Sequence, residues 1–263
     1  MNIIICGYGK MGKLIEEHAL ERGWNAAAVV DPLYKNPASG KINTTPAGTR
    51  VYQKLNDIEF NTTPDAALDF THPDTVYENI IQFAQKRIPL VVGTTGWYDK
   101  LLDVRKIVTQ NNSCLLWAGN FSLGVNLFYK IAEYASALLD NYAEYDIAGY
   151  EFHHNKKADS PSGTAKTIAQ KVIAAGTRKK RAVYTMLDRA PEPEELHFAS
   201  LRCGSIPGKH ALVFDSAADT IELTHTARSR AALVSGALAA ADWLAKTAAS
   251  GKTGVWTFDD VLG

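Results

Sequence analysis

Residues 2–12 read NIIICGYGKMG. The run from 2 to 6 is a short apolar strand candidate, and the three glycines at 7, 9 and 12 follow it without a gap. Behind them, residues 10–22 have the pattern of an amphipathic helix. Strand, GxGxxG and helix in that order suit a dinucleotide: the first glycine makes the tight turn, the second admits the pyrophosphate, and the third lets helix pack on strand. The helix start then offers free N–H groups to the phosphates. Gly7, Tyr8, Gly9, Lys10, Met11 and Gly12 are therefore expected to hold the cofactor.

Moving outward, a second strand candidate at 26–30 ends on Asp31, nineteen positions beyond Gly12. A carboxylate there accepts hydrogen bonds from the adenosine ribose. It also repels a 2′-phosphate, and the next residue is Pro32 instead of an arginine, so NADH is expected over NADPH, with Lys35 softening the preference. Further strands at 66–70, 89–93 and 114–118 alternate with helices at 74–86 and 98–111, which is the grammar of a parallel, Rossmann-like sheet. Residues 31–49 contain three prolines and two glycines and read as a long surface loop. Gly251-Lys252-Thr253 does not complete a P-loop, because the earlier glycine it requires would fall on Lys246.

After Asn120 the pattern changes. Residues 124–141 form a long amphipathic helix, 145–154 a strand, and 196–204, 210–216 and 219–227 three more strands separated by turns. Strands in succession predict a second α+β domain on a mainly antiparallel sheet. The division expected is 1–119 for the dinucleotide domain and 120–228 for substrate binding and oligomerisation, with 229–263 packing back on the first domain.

Composition sets the outer limits. The 263 residues are 46% hydrophobic and 21% charged, and 28 basic residues balance 28 acidic ones, so neither nucleic acid nor an anionic membrane is expected as the main partner. The most apolar stretch, 231–245, is interrupted by Ser235, Gly236 and Asp242 and falls short of a membrane span. Cys6, Cys114 and Cys203 are far apart and lack CxxC spacing, which argues against a disulfide framework and against a zinc site. No metal is expected, and a cytoplasmic location is.

The densest chemistry lies at 151–165, EFHHNKKADSPSGTA. Neighbouring side chains on a strand point to opposite faces, so His153 and His154 are expected to do different jobs. Histidine suits proton transfer near neutral pH, and Lys157 can donate a proton or hold a carboxylate. Ser160 reads as an N-cap with Pro161 at the first helical position, which puts the N–H groups of Gly163 and Thr164 in the first turn. That turn is an anion site, so the substrate expected is a small anionic molecule.

ExHHxxKxDxPSGTA closely resembles the signature of the 4-hydroxy-tetrahydrodipicolinate reductase (dihydrodipicolinate reductase) family. GYGKMG, VVGTTGW at 91–97, AGNFSLGVN at 118–126, GSIPGKH at 204–210 and ELTHTARSR at 222–230 also fit it. The resemblance implies a Rossmann domain, a C-terminal α+β domain, a homotetramer built through the C-terminal sheets, and reduction of a cyclic hydroxy-imine dicarboxylate by NADH or NADPH. It makes His153 the proton donor/acceptor and Lys157 the proton donor, with His154, Gly163 and Thr164 binding substrate. Gly93, Thr94 and Thr95, with Ala118, Gly119, Asn120 and Phe121, would line the nicotinamide. Two other readings remain: another NAD(P)-dependent amino-acid dehydrogenase, of the diaminopimelate or aspartate type, and a dinucleotide-sensing regulator without turnover. The regulator predicts a DNA-binding module or basic arm, and the sequence has neither.

Overall fold

The computed structural model describes residues 1–35, 43–60 and 62–263. In chain order the elements are β1 (Asn2–Cys6), α1 (Lys10–Glu21), β2 (Asn25–Val30), β3 (Val51–Tyr52), β4 (Ala66–Asp69), α2 (Pro73–Gln85), β5 (Leu90–Val92), α3 (Leu101–Gln110), β6 (Cys114–Trp117) and α4 (Leu123–Leu139). There follow β7 (Asp146–His153), α5 (Gly163–Ala175), β8 (Arg181–Val183), β9 (Glu195–Arg202), β10 (Lys209–Asp215), β11 (Thr220–Thr226), α6 (Ala231–Ala249), β12 (Gly254–Thr257) and α7 (Phe258–Leu262). The chain forms two compact units: Met1–Ser122 with Leu233–Gly263, and Leu123–Ala232.

The first unit is built on a seven-stranded sheet in the order β12-β6-β5-β4-β1-β2-β3, with every pairing parallel. β1 explains the layering. Ile3 and Ile5 enter one core with Ile15 and Ala19 of α1 and with Val234, Ala237, Leu238 and Leu244 of α6. Ile4 and Cys6 enter a second core with Val76, Ile80 and Phe83 of α2 and Val104 and Val108 of α3. A strand covered by helices on both faces has to be apolar where it is covered, as β1 is from Ile3 to Cys6. From β1 the order runs outward in both directions, to β2 on one side and to β4 on the other, so the ends of β1, β2 and β4 meet at the topological switch point where ligands of such sheets bind.

The region expected as one surface loop, 31–49, differs in part. Residues 36–42 lie outside the described residues, but Thr45 is buried, hydrogen-bonded to Glu16, and Thr44 bridges to Arg50 just before β3. A polar side chain with a buried carboxylate partner has reason to leave the surface.

In the second unit the sheet order is β11-β10-β7-β9-β8. It is mixed: β7, β10 and β11 pair antiparallel, while β7 with β9 and β8 with β9 pair parallel. The strands at 196–204, 210–216 and 219–227 were expected in succession on a mainly antiparallel sheet; instead β7 lies between β9 and β10, because the chain crosses over through α5 before β9 and so returns parallel to β7. One end of the inner face is apolar: Ile147, Phe198, Leu212 and Phe214 meet Phe128 and Ala132 of α4 and Ile168, Ala169 and Val172 of α5. The other end of that face is polar, with Glu151, Ser200 and His210.

Candidate active site

In the first unit the three glycines have three distinct surroundings. Gly7 takes φ +84°, and a Cβ on it would meet the Phe70 carbonyl oxygen at 2.5 Å. A Cβ on Gly12 would stand 2.1 Å from the Gly7 carbonyl oxygen. Around Gly9 there is nothing within 4 Å of that position, so the protein's own packing gives no reason for a glycine there. The space matches what a pyrophosphate needs as it approaches the start of α1, whose N-cap is Gly9 without a side-chain cap and whose first turn carries no acid. The residues present therefore fit a dinucleotide.

Asp31 ties this loop down. Its Oδ2 accepts the Tyr8 N–H at 2.8 Å, and its Oδ1 accepts the N–H groups of Leu33 at 2.9 Å and Tyr34 at 3.0 Å. Tyr8 is turned inward, with its hydroxyl donating to Glu16; burial first and Glu16 second raise the phenol's pKa. Lys10 is exposed and Met11 half-buried.

Asp69, at the end of β4, organises the second loop. It accepts hydrogen bonds from the Thr71 N–H at 3.1 Å, the hydroxyls of Thr71 and Thr94 at 2.7 Å each, and the Asn79 amide at 2.7 Å. Burial still raises its carboxyl above the ordinary value, against these four bonds. Thr94 is thereby buried with its hydroxyl spent on Asp69, while Thr95 and Gly119 are exposed and Asn120 half-buried. A Cβ on Gly93 would enter the Phe70 ring at 2.2 Å, and Phe121 packs between Phe70 and Phe258 beside buried Ala118.

In the second unit, Glu151 and His153 point to the same inner face of β7, two residues apart. Ser200 of β9, Glu151, His210 of β10 and His225 of β11 are cross-strand partners and make one polar row. Glu151 is fully buried. Its Oε1 accepts from the Ser162 N–H at 2.9 Å and the Ser200 hydroxyl at 2.9 Å, with the Arg202 guanidinium at 3.4 Å. The Ser162 hydroxyl donates to Oε2, from which His210 Nε2 lies 3.3 Å away. Burial works to raise the Glu151 carboxyl, but the bonds from His210, Ser162 and Ser200 outweigh it and hold the group well below the carboxylate range.

His153 Nδ1 stands 3.4 Å from Glu151 Oε2, not directed as a hydrogen bond, and its ring meets that of His210 edge-on at 5.1 Å. Burial pushes His153 down to about 4; Glu151 opposes this, and His210, Lys157 and Arg202 add to it. On the ring's other side, a Cβ on residue 208 would lie 3.1 Å from Nε2, so Gly208 keeps that nitrogen clear. Lys157 Nζ is paired with Asp159 at 2.7 Å, and Arg202 bonds the backbone carbonyls of Lys157 and Asp159. His154 carries a buried Nδ1 with no hydrogen-bond partner among the described residues.

The start of α5 departs from expectation. Ser162, not Ser160, is the N-cap, its Oγ accepting the Ala165 N–H at 3.1 Å, and Gly163 is the first helical residue. Pro161 precedes the helix across a cis bond. Ser162 serves both as cap and as partner of Glu151, and that double attachment fixes where the helix begins. A Cβ on Gly163 would meet open space, as at Gly9.

Ligand atoms of Glu151, His153 and His210 lie within 4.8 Å of one another, close enough to hold a divalent ion. Hydrogen bonds to Ser162 and the neighbouring Arg202 already occupy and neutralise that carboxylate, which leaves the donor set poor for a metal.

The family description of the dihydrodipicolinate reductase N-terminus matches residues 1–121, and that of its C-terminus matches residues 124–262. The chain belongs to the dihydrodipicolinate reductase family. A 4-hydroxy-tetrahydrodipicolinate reductase of Christiangramia forsetii is 36% identical over 262 residues, covering 100% of this chain and 98% of that one. One of Staphylococcus aureus is 32% identical over 263 residues, covering 99% and 100%. A solved dihydrodipicolinate reductase from Paenisporosarcina sp. TG-14, described as dipicolinate-bound, shares the fold with TM-score 0.77 and 22% identity over 98% of this chain and 97% of its own. The diaminopimelate dehydrogenase of C. glutamicum is a more distant likeness in fold, with TM-score 0.55 and 14% identity over 100% and 95%. As a member of its family the chain is an NAD(P)H-dependent oxidoreductase, a 4-hydroxy-tetrahydrodipicolinate reductase of the diaminopimelate route to lysine.

In this reductase the motif reading passed over Glu151, Ser162, Ser200, Arg202 and His210 in the second unit and Asp69 in the first. Two signals were present in the sequence. Glu151 shares strand parity with His153, and Asp69 stands at the carboxyl end of a central strand, where ligand loops of such sheets begin.

Proposed function

We propose that His153 is the proton donor/acceptor and Lys157 the proton donor of the reduction, and that His154, Gly163 and Thr164 bind a dicarboxylate substrate. The carrying observation is the Glu151–Ser162 attachment, which holds the strand end bearing His153 against the start of α5. The orphaned Nδ1 of His154 and the open space at Gly163 support a ligand beside them. A dicarboxylate also accords with the dipicolinate of the Paenisporosarcina relative.

Gly7, Gly9 and Gly12 would hold a reduced nicotinamide dinucleotide, which would supply the hydride. The chain's own residues then manage the proton. Hydride arriving at a conjugated imine leaves an electron pair to be protonated, and His153 Nε2, kept clear by Gly208, is the atom that delivers the proton. Substrate carboxylates near His153 favour its charged form, while Lys157 exchanges Asp159 for the substrate.

The cofactor site is read as Gly7, Tyr8, Gly9, Lys10, Met11, Gly12 and Asp31, with backbone at Gly93, Thr94 and Thr95 and at Ala118, Gly119, Asn120 and Phe121. Asp31 followed by Pro32 favours NADH over NADPH. The first unit is read as the dinucleotide domain, and the second as the substrate and oligomerisation domain of a homotetramer. Leu201, exposed on the face of the second sheet turned away from Glu151, is consistent with a covered face there. A cytoplasmic location accords with three free cysteines.

The test is loss of NADH absorbance with freshly generated hydroxy-imine and no gain of it with aspartate plus NAD. His153→Gln and Lys157→Ala should each lower kcat by at least ~10²-fold and leave NADH affinity nearly intact. Near-normal turnover in both variants rejects the assigned roles.

A further inference from the structure

Glu151 takes no part in the proton transfer described above, yet its carboxylate touches every group that does the positioning. The two oxygens divide the work. Oε1 takes the backbone N–H of Ser162 and the Ser200 hydroxyl, each at 2.9 Å, and Arg202 stands behind it. Oε2 takes the Ser162 hydroxyl and faces two imidazoles, His210 Nε2 at 3.3 Å and His153 Nδ1 at 3.4 Å. A fully buried carboxylate is costly unless charges and donors surround it, and here they do on every side.

We propose that Glu151 is the positioning residue of this site: one buried carboxylate ties the strand end that carries His153 to the first turn of α5 and stands in charge contact with the His153 ring, so that proton donor and carboxylate cradle are held as one piece. The proposal rests on the roles given above to His153 and to the start of α5. The geometry carries it. His153 and Glu151 belong to one strand and Ser162 to the cap of α5, so a shift of either element has to break a bond to the same carboxylate.

A second consequence is electrostatic. The charged and titratable groups facing His153 are Glu151 on its own strand, His210 from β10, Arg202 from β9 and Lys157 from the loop after β7. Glu151 alone among these is negative, so it alone favours the imidazolium that donates the proton. Removing its charge should take the acid form away at a lower pH.

The experiment is steady-state kinetics with hydroxy-imine and NADH across pH, on the full-length enzyme and on Glu151→Gln, Ser200→Ala, Ser162→Ala and His153→Gln. Glu151→Gln keeps the volume and loses the charge. It should lower kcat about 10-fold or more. It should also move the limb on which kcat falls with rising pH downward by about one unit. Ser200→Ala removes a donor to the same carboxylate but leaves the charge, and should keep that limb in place. Ser162→Ala loosens the helix start and should raise KM for the imine about fivefold with the limb unmoved.

A Glu151→Gln enzyme with the parent pH limb overturns the proposal, whatever its melting temperature, because a merely structural carboxylate changes stability without moving the titration. If that variant does not fold, Ser162→Ala decides: an unchanged KM overturns the proposal and a raised one supports it. His153→Gln separates the two layers. Normal turnover in it rejects the assignment of His153, whereas its inactivity beside an unshifted Glu151→Gln profile rejects the positioning role alone.

Discussion

Gly12 lies so close to Gly7 that a Cβ on it would stand 2.1 Å from the Gly7 carbonyl oxygen, while a Cβ on Gly9 would meet nothing within 4 Å. The two glycines therefore answer to different demands. Gly12→Ala should destabilise the fold by about 1–3 kcal/mol, the usual cost of forcing an atom into a filled space. Gly9→Ala should keep its stability to within about 0.5 kcal/mol and still lose NADH affinity. Thermal unfolding without cofactor, set beside NADH titration by fluorescence, checks both; equal destabilisation of the two variants contradicts the division.

Asp31 both anchors the glycine loop through the Tyr8 N–H and sets a negative charge at the end of β2. Asp31→Ser should lower the ratio of kcat/KM for NADH over that for NADPH by about 10-fold or more, since a tenfold change needs only about 1.4 kcal/mol of relieved repulsion. The measurement is initial rates with each cofactor at fixed imine. A ratio that stays put would remove Asp31 from the selectivity.

Burial holds His153 at about 4, so the free enzyme carries it neutral at pH 7. Binding of a dicarboxylate such as dipicolinate should bring uptake of up to one proton, and His153→Gln should abolish most of it. Calorimetric titration in two buffers of different ionisation enthalpy reads the proton count directly. The stability has the matching sign: the unfolded ring binds its proton below the ordinary 6.5 and the folded one only near 4. Stability should therefore fall as pH drops across that window, and His153→Gln should flatten the fall.

A second acid-sensitive anchor sits away from the chemistry. Arg189 pairs with both oxygens of Glu195 at 2.8 and 2.9 Å, the Glu192 N–H adds a bond, and Arg181 lies at 3.1 Å; together they hold the carboxyl at about 2. Because the folded value lies below the ordinary 4.5, this stability is complete above 4.5 and is lost as pH falls through about 2. Glu195→Gln should give a shallower acid limb in melting temperature, and an unchanged limb would sink the assignment.

Much of the first sheet was legible because its strands are apolar on both faces and stand between amphipathic helices. The run read at 2–6 is β1, and the helix read at 10–22 is α1 at Lys10–Glu21. What escaped were β3, β8 and β12, of two, three and four residues, recognisable only through their partners. The start of α5 was misread by two residues because Ser160-Pro161 mimics a cap and first turn, whereas Ser162 is fixed by a carboxylate on another element. The same reason hid Glu151. An acid in a strand is ordinarily a solvent residue, and the partners that keep this one inside come from positions 162, 200, 202 and 210, which no local pattern joins to 151.

β12 joins the first sheet beside β6 from residues Gly254–Thr257, and α6 supplies part of that unit's core, whereas the second unit runs unbroken from Leu123 to Ala232. During synthesis, domains fold as units once their chain has emerged. The second unit then has all its residues outside the ribosome while the first still waits for its outer strand and a covering helix. The first unit begins first and closes last: a nascent chain that has emerged only as far as Ala232 has all of the second unit's residues free, while the first still lacks α6 and β12 and leaves β6 as an open edge.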